Sequence, residues 1–395
     1  MITKDFGTTY CAEAFFIYRK CAKIYKIMDT EILQINRDDP DDKGIQKAGM
    51  IIRAGGLVAF PTETVYGLGG DALNPDSSRK IYAAKGRPSD NPLIVHISDV
   101  SDIPDIAVTD NIAYVIDGVR EKVAALAERF WPGPLTVILH KKDKVPYETT
   151  GGLDTVAIRM PSDPIALAFI KASGGYIAAP SANISGRPSP TRVSHVIEDM
   201  DGRIDMILDG GDVDIGVEST ILDLTEEVPV ILRPGAITDK DLAVVLSDVR
   251  YDPGIIASDS AIAPKAPGMK YRHYAPKGEL VVVTGSRSAV ADYINSRAEE
   301  GRHDLIKTGV ICADEHVLDY RAAVIKCAGR LGDEDTAAHR LYSILREFDA
   351  EEVDMIYSEA FDSEGIGNAV MNRLLKAAGH RVVDADEMYQ GGIST

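Results

Sequence analysis

At 395 residues, with 45% hydrophobic and 26% charged residues, the chain has the composition of an ordinary folded protein and the length of two domains. A formal net charge of −18 excludes a general nucleic-acid binder, because backbone affinity needs clustered Lys and Arg, and leaves only a local basic groove open. The four cysteines, Cys11, Cys21, Cys312 and Cys327, show no CxxC spacing, which excludes a zinc knuckle and a disulfide framework and predicts free thiols in a reducing compartment.

No apolar run approaches the roughly 18 residues that cross a membrane. Residues 1–27 carry Lys4, Arg19, Lys20, Lys23 and Lys26 against Asp5 and Glu13, and their short apolar segment contains a Glu that a signal core avoids. They are expected to be a start-site extension or tail, with Met28 as the natural start. The next segment places Ile45, Ala48, Ile51 and Ile52 at helical spacing and ends at Gly55-Gly56, a helix feeding a first strand. That strand, Leu57 to Phe60, stops at Pro61 and opens into hydroxyls, a carboxylate and three glycines, where an α/β sheet usually keeps its site. A helix opened by Pro75, with Asp76 or Ser77 as its cap, then delivers Lys85 and Arg87 on either side of Gly86.

Further strands are expected at 92–97, 135–139, 155–160, 176–179, 204–208, 219–224 and 228–232, and helices at 123–130, 163–172, 192–200 and 239–246. Without a strict βαβ beat, residues 28–246 predict an α/β domain with a twisted, open, mixed sheet and packed helices. Residues 247–278 are rich in Pro, Gly, Ala and Asp and read as a linker, with the Lys270-Tyr-Arg-His-Tyr274 cluster favouring a functional lid. Beyond it, strands at 280–284, 309–312 and 353–357 alternate with helices, so residues 279–395 predict a smaller, doubly wound, parallel α/β domain of Rossmann-like form.

Each candidate group also has a plainer reading. Thr62, Glu63 and Thr64 suit a turn, Lys85 and Arg87 complement a helix end, His96 fits a core histidine, and the hydroxyls Ser181, Ser185, Ser189 and Thr191 suit turn chemistry. Asn183, in a loop after a strand, is well placed to bond a ligand. Arg159 says more, because an arginine in an apolar strand needs an anion, either an internal carboxylate or a ligand carboxylate. Glu218 and Ser219 head one strand and Arg233 ends another, where loops from sheet ends converge; these positions suit ligand contact, with capping as the plainer reading. The glycines match neither a G-x-G-x-x-G fingerprint nor a P-loop, which excludes an ordinary dehydrogenase or P-loop enzyme.

Six stretches in order, Phe60-Pro-Thr-Glu-Thr-Val-Tyr-Gly-Leu68, Lys85-Gly-Arg87, Phe130-Trp-Pro-Gly-Pro-Leu-Thr136, Ala157-Ile-Arg-Met-Pro161, Ala179-Pro-Ser-Ala-Asn-Ile-Ser-Gly186 and Arg233-Pro-Gly235, resemble the motif series of the YrdC-like threonylcarbamoyl-adenylate synthases. Ala266-Pro-Gly-Met-Lys-Tyr-Arg-His-Tyr-Ala-Pro276 and the second domain resemble that family's longer, two-domain branch. The resemblance implies a cytoplasmic nucleotidyltransferase that joins L-threonine, bicarbonate or carbon dioxide, and ATP into threonylcarbamoyladenylate and pyrophosphate. This product serves tRNA modification and is passed to a tRNA threonylcarbamoyl-transferring complex.

Carried over by position, Thr64, His96, Arg159, Ala179 through its backbone, and Ser219 match the family's threonine pocket. Arg87, Asn91, Thr155, Ser181, Ser189, Arg233 and Tyr274 match its nucleotide contacts. Lys85 belongs to the Lys-x-Arg signature and Asn183 to Ser-x-Asn. Lys85 and Arg87 are the expected catalytic cations, and Mg2+ is expected with ATP, without nameable protein ligands. No membrane association is expected from the lack of a long apolar run, and weak or no direct tRNA binding from the charge. Rival readings are a carbamoyl-transferring relative, whose zinc-type cysteine pairs are absent, a non-catalytic double-stranded RNA binder, and a C-terminal domain that binds a separate regulator.

Overall fold

The structure, a computed structural model, describes residues 29–40, 43–109, 118–255 and 273–390. The expected tail 1–27, and Lys270, Tyr271 and Arg272 of the expected lid, lie outside the described residues.

Lys43–Arg53 is helical, with Ile45, Ala48 and Ile52 buried along one stripe. It packs on the helix Pro164–Ser173, which starts where Asp163 Oδ1 accepts from the Ala166 amide at 3.0 Å. The two helices cross closely at Gly49, where a Cβ would lie 2.5 Å from the Ala172 carbonyl oxygen. Beneath them, Phe60, Phe169, Ile165 and Met206 form one core layer of the first sheet. Leu57, Ala59, Leu68, Val95 and Ile158 form the larger layer on the other face. Replacing a fully buried ring such as Phe169 with Ala costs about 3–5 kcal/mol.

The first sheet has eleven strands, and its order is not the chain order: 31–34, 206–209, 58–60, 67–71, 177–179, 94–96, 155–159, 135–140, 220–223, 230–233, 250–251. Parallel and antiparallel pairings alternate irregularly along it, the mixed sheet that the sequence predicts. It reaches Arg250–Tyr251, a few residues into the stretch read as linker. Gly67–Asp71, which sequence reading left as an open loop, is a strand antiparallel to Val58–Phe60. A Cβ on Gly67 or Gly69 would sit 3.0 or 3.2 Å from the Phe60 ring, so the glycines let the backbone lie over that ring.

The helix Pro75–Lys85 is capped by Asn74, whose side chain accepts from the Asp76 amide at 3.0 Å, and not by Asp76 or Ser77. Gly86 ends it at φ 62°, and the Arg87 amide bonds back to the Tyr82 carbonyl at 2.9 Å. This ending turns Lys85 and Arg87 inward.

The second sheet is parallel throughout, ordered 324–329, 308–313, 355–359, 279–284, 382–384. Helices Glu334–Ala350 and Gly367–Ala377 cover one face, and Arg287–His303 with Ala385–Gln390 the other, the doubly wound arrangement expected. The first of these faces also meets the first domain. Val65 and Val217 share a core cluster with Leu341, Tyr342 and Leu374, and Thr191 Oγ1 lies 3.1 Å from Ser343 Oγ. Arg346 donates to Asp199 Oδ2 and to the Pro188 carbonyl, each at 2.7 Å.

Candidate active site

A polar cavity forms where the ends of strands 58–60, 94–96, 155–159, 177–179 and 230–233 approach the loop after Ala179 and the first residues past the undescribed linker segment. Lys85, Arg87, His96, Arg159, Ala179, Ser181, Asn183, Arg233 and Tyr274, all singled out from sequence, line it together. Thr64, Asn91, Thr155, Ser189 and Ser219 are not among the lining residues.

Arg159 stands opposite His96 in the parallel pairing of their strands. Its buried guanidinium meets an internal carboxylate: Nη2 is 2.8 Å from Glu63 Oε1. The pair is close but poorly aligned, and neither Glu63 oxygen nor Arg159 Nε or Nη2 completes a hydrogen bond. Arg159 therefore keeps unmet donor capacity at the cavity wall. His96 Nδ1 lies 3.1 Å from the Ile94 carbonyl and donates to it. Burial, reinforced by Arg159, lowers its pKa to about 3, so the ring is neutral near pH 7. Thr64 is fully buried behind this wall, its Oγ1 2.9 Å from Thr62 Oγ1.

At the other end, Lys85 Nζ donates to the carbonyls of Ser181 and Asn183, each at 2.5 Å, and reaches Asn183 Oδ1 at 3.5 Å. The ammonium that sequence reading directs at phosphates thus pins the loop that follows Ala179. Burial and the neighbouring Arg87 push its pKa well below the lysine range. Ser181 Oγ donates to Asn183 Oδ1 at 2.5 Å, and Asn183 Nδ2 donates to Ile184 and Arg187 carbonyls at 2.9 Å. Arg87 is held through Nη2 to the Asn91 and Pro92 carbonyls at 3.2 and 3.0 Å. Burial lowers its pKa to about 10, which leaves it charged at neutral pH. Asn91 is itself buried with its Oδ1 unbonded. Thr155 heads its strand four residues before Arg159, paired across to His140.

Arg233 donates from Nε to the Ser219 carbonyl at 3.0 Å and from Nη2 to Ser219 Oγ at 3.1 Å. Ser219 Oγ also lies 2.8 Å from Thr136 Oγ1, so this serine positions Arg233 from behind. Tyr274 has φ 65°, uncommon for a non-glycine residue, and its ring centroid lies 5.2 Å from that of Tyr342 in the second domain.

Sequence reasoning missed four parts of this site. Glu63 was noted as a turn residue and is the partner of Arg159. Glu218, at a strand head that suits either ligand contact or capping, does line the cavity, but its partners are not readable from sequence: it accepts from Ser189 Oγ at 2.5 Å, Tyr342 Oη at 2.9 Å and Arg373 Nε at 2.9 Å. Tyr342 and Arg373 come from the second domain. One signal for Arg373 was present: it interrupts the apolar stripe of Val370, Leu374 and Ala377 on its helix and is fully buried there. The arrangement offers cations suited to an amino-acid carboxylate and to phosphates within one cavity.

A family model described as telomere recombination matches residues 50–235, and one described as threonylcarbamoyl-AMP synthase, C-terminal domain, matches residues 237–379. The threonylcarbamoyl-AMP synthase of Bacillus subtilis (strain 168) is 47% identical over 351 residues, 89% of this chain and 96% of that relative. The one from Pyrococcus abyssi (strain GE5 / Orsay) is 45% identical over 88% of this chain and 97% of its own length. A crystal structure of P. abyssi Sua5 complexed with L-threonine superposes with a TM-score of 0.82 at 44% identity, covering 90% of this chain and 99% of that one.

Proposed function

Because the chain belongs to the threonylcarbamoyl-AMP synthase family, in the form that carries the Sua5 C-terminal domain, we propose that it is the enzyme joining L-threonine, bicarbonate or carbon dioxide, and ATP into L-threonylcarbamoyladenylate and pyrophosphate. The observation that carries this reading to the residues is that one cavity is lined both by Arg159 with His96, neighbours across paired strands, and by Arg87 with Arg233. Two mutually repelling anions must be brought into contact in this reaction, and separate cationic ends do so without a covalent intermediate.

In this reading the threonine carboxylate takes the unmet donors of Arg159, with His96 beside it and Thr64 and Ala179 shaping that end, while Ser219, bonded to Thr136 on the strand beside Arg159 and to Arg233, stands between it and the nucleotide end. Free amine and carbon dioxide give a carbamate anion and a proton, which passes to solvent. A carbamate oxygen then attacks the α-phosphorus of ATP, and the bond to the bridging oxygen breaks as pyrophosphate leaves. The adenylyl group moves to the carbamate, which makes the enzyme a nucleotidyltransferase. Arg87 and Arg233 offset the charge that develops at phosphorus, while Lys85 holds the Ser181 and Asn183 loop against the nucleotide. Asn91, Thr155, Ser189 and Tyr274 complete the nucleotide side.

Magnesium enters with the nucleotide. Among the described residues no group of three or more His, Cys, Asp or Glu is arranged to hold a metal ion, and Glu218, in the lining, already bonds three side chains. The product is handed to a tRNA threonylcarbamoyl-transferring complex in the cytoplasm, and the net charge of −18 favours weak or no direct tRNA binding. No helix among the described residues is long and apolar enough to cross a membrane.

The test mixes pure protein with ATP, L-threonine and bicarbonate and follows pyrophosphate and an adenylate. Formation of a threonine-dependent adenylate is the expected result. Pyrophosphate release that ignores threonine overturns the substrate assignment.

A further inference from the structure

The charge balance at Glu218 gives the second domain a part in the chemistry. Glu218 is a buried carboxylate in the lining of a cavity read here as taking a triphosphate. Alone, it would oppose phosphate binding and attract the guanidinium of Arg233, which must face the nucleotide. Its counterion comes from the other domain. Arg373, with no solvent exposure, donates from Nε to Glu218 Oε2 at 2.9 Å, from Nη2 to the Glu218 carbonyl at 3.3 Å and from Nη1 to the Pro234 carbonyl at 2.7 Å. One guanidinium therefore grips both segments that frame Arg233: the strand entrance at Glu218-Ser219 and the residue after Arg233. The Tyr342 hydroxyl, with one proton to donate, lies 2.9 and 3.1 Å from the two Glu218 oxygens, and its ring faces that of Tyr274. The Arg373 guanidinium carbon lies 5.9 Å from the Tyr274 ring centroid.

We propose that Arg373 is a positioning residue for the nucleotide end of the active site: it neutralises Glu218 and clamps the Pro234 carbonyl, so that Arg233 is directed at ATP. The second domain is then an essential wall of the site. Tyr342 supports the same carboxylate, and Arg373 and Tyr342 together seat Tyr274. Neither Arg373 nor Tyr342 lines the cavity, so both act through Glu218, Arg233 and Tyr274. Arg159, at the amino-acid end, has its own carboxylate in Glu63 and stands outside this network.

This inference rests on the reading of the cavity as an ATP and threonine site, and calorimetric titration separates the two because it needs no turnover. ATP and L-threonine affinities are measured on the full chain for wild type, Arg373→Gln, Tyr342→Phe and the double variant Arg373→Gln with Glu218→Gln. For Arg373→Gln the expected result is an ATP Kd raised at least about 20-fold with threonine Kd within about threefold, equivalent to the loss of one charge-assisted contact. Tyr342→Phe, which removes one hydroxyl and keeps the ring, is expected to raise ATP Kd about three- to fivefold. The double variant, with no unpaired carboxylate, is expected to recover to within about fivefold of wild type. An unchanged ATP Kd in Arg373→Gln, or a parallel loss of both ligands with no recovery in the double variant, overturns the proposal. If Arg373→Gln does not fold, Tyr342→Phe decides by the same split between ATP and threonine. A wild-type protein that binds ATP but makes no threonine-dependent adenylate overturns the proposed function and leaves the Arg373 comparison readable.

Discussion

Arg159 and Glu63 form a buried ion pair, 2.8 Å from Nη2 to Oε1, in which both partners keep hydrogen-bonding atoms unmet. A pair in that state is poised to reorganise around a ligand, because an incoming carboxylate can take donors that Glu63 leaves free. Arg159→Met should abolish threonine binding and lower stability by about 3–5 kcal/mol, because Glu63 is left buried and unpaired. Adding Glu63→Gln should restore most of the stability and none of the threonine affinity. Urea midpoints and threonine titrations check both halves, and a double variant no more stable than Arg159→Met would show that Glu63 is not the relevant partner.

Lys85 and Arg87 should fail differently. Lys85→Met removes the donor to two buried carbonyls, so stability falls by about 2–4 kcal/mol along with activity. Arg87→Ala also frees two carbonyls, so stability falls by about 1–3 kcal/mol, but its larger effect should be a drop of about 10²–10³ in the rate of threonine-dependent pyrophosphate release with little change in threonine KM. Full activity in both variants would remove the site from this cavity.

Acid should unfold the protein through its histidines. His96, His195 and His273 are each lowered, chiefly by burial, from 6.5 to about 3 in the folded state. The unfolded chain binds protons that the folded one refuses, so their stabilising contribution is complete above about pH 6.5 and is lost as pH falls towards 3. Each histidine adds a slope of at most about 1.4 kcal/mol per pH unit in that window. Glu218, whose pKa falls to about 2 because Arg373 and Arg233 outweigh its burial, adds a further loss between about 4.5 and 2. Denaturant midpoints from pH 7 to 4 should decline steadily, and His195→Gln, away from the cavity lining, should flatten the decline. A level curve would contradict the buried-neutral assignment.

Tyr274 carries its own prediction. Tyr274→Ala removes the ring that faces Tyr342 and should raise the ATP KM about tenfold or more, whereas Tyr274→Phe keeps the ring and should stay within about threefold of wild type. Initial rates at saturating threonine distinguish the two.

Direct RNA affinity should be poor. In filter binding at moderate salt, tRNA is expected to bind weaker than micromolar, since the chain carries 61 acidic residues against 43 Lys and Arg. Sub-micromolar binding with a steep salt slope would reverse that conclusion.

Much of the fold was legible wherever side-chain periodicity decided the structure. The helices Lys43–Arg53, Pro164–Ser173 and Glu334–Ala350 carry apolar stripes that report their buried faces. Gly67–Asp71 was not legible as a strand, because glycine has no preference for one, and the Phe60 ring that requires it lies on the neighbouring strand. Arg159 announced itself as a cation in an apolar strand, but nothing local could choose between Glu63 and a ligand as its partner. Lys85 was legible as a cation near an anion site, whereas its bonds to the carbonyls of Ser181 and Asn183 depend on a loop nearly a hundred residues away. Arg373 shows the same limit at greater range: it stands out as a cation in the apolar stripe of its helix, but nothing local names Glu218 as its partner.

The contact between Glu218 and Arg373 spans 155 positions of sequence. During synthesis the first domain can collapse around its own sheet well before Arg373 leaves the ribosome, and in that interval Glu218 lacks both Arg373 and Tyr342 and has Arg233 as its neighbouring cation. On the proposal that Arg373 positions the nucleotide end, competence for adenylate formation waits for almost the whole polypeptide.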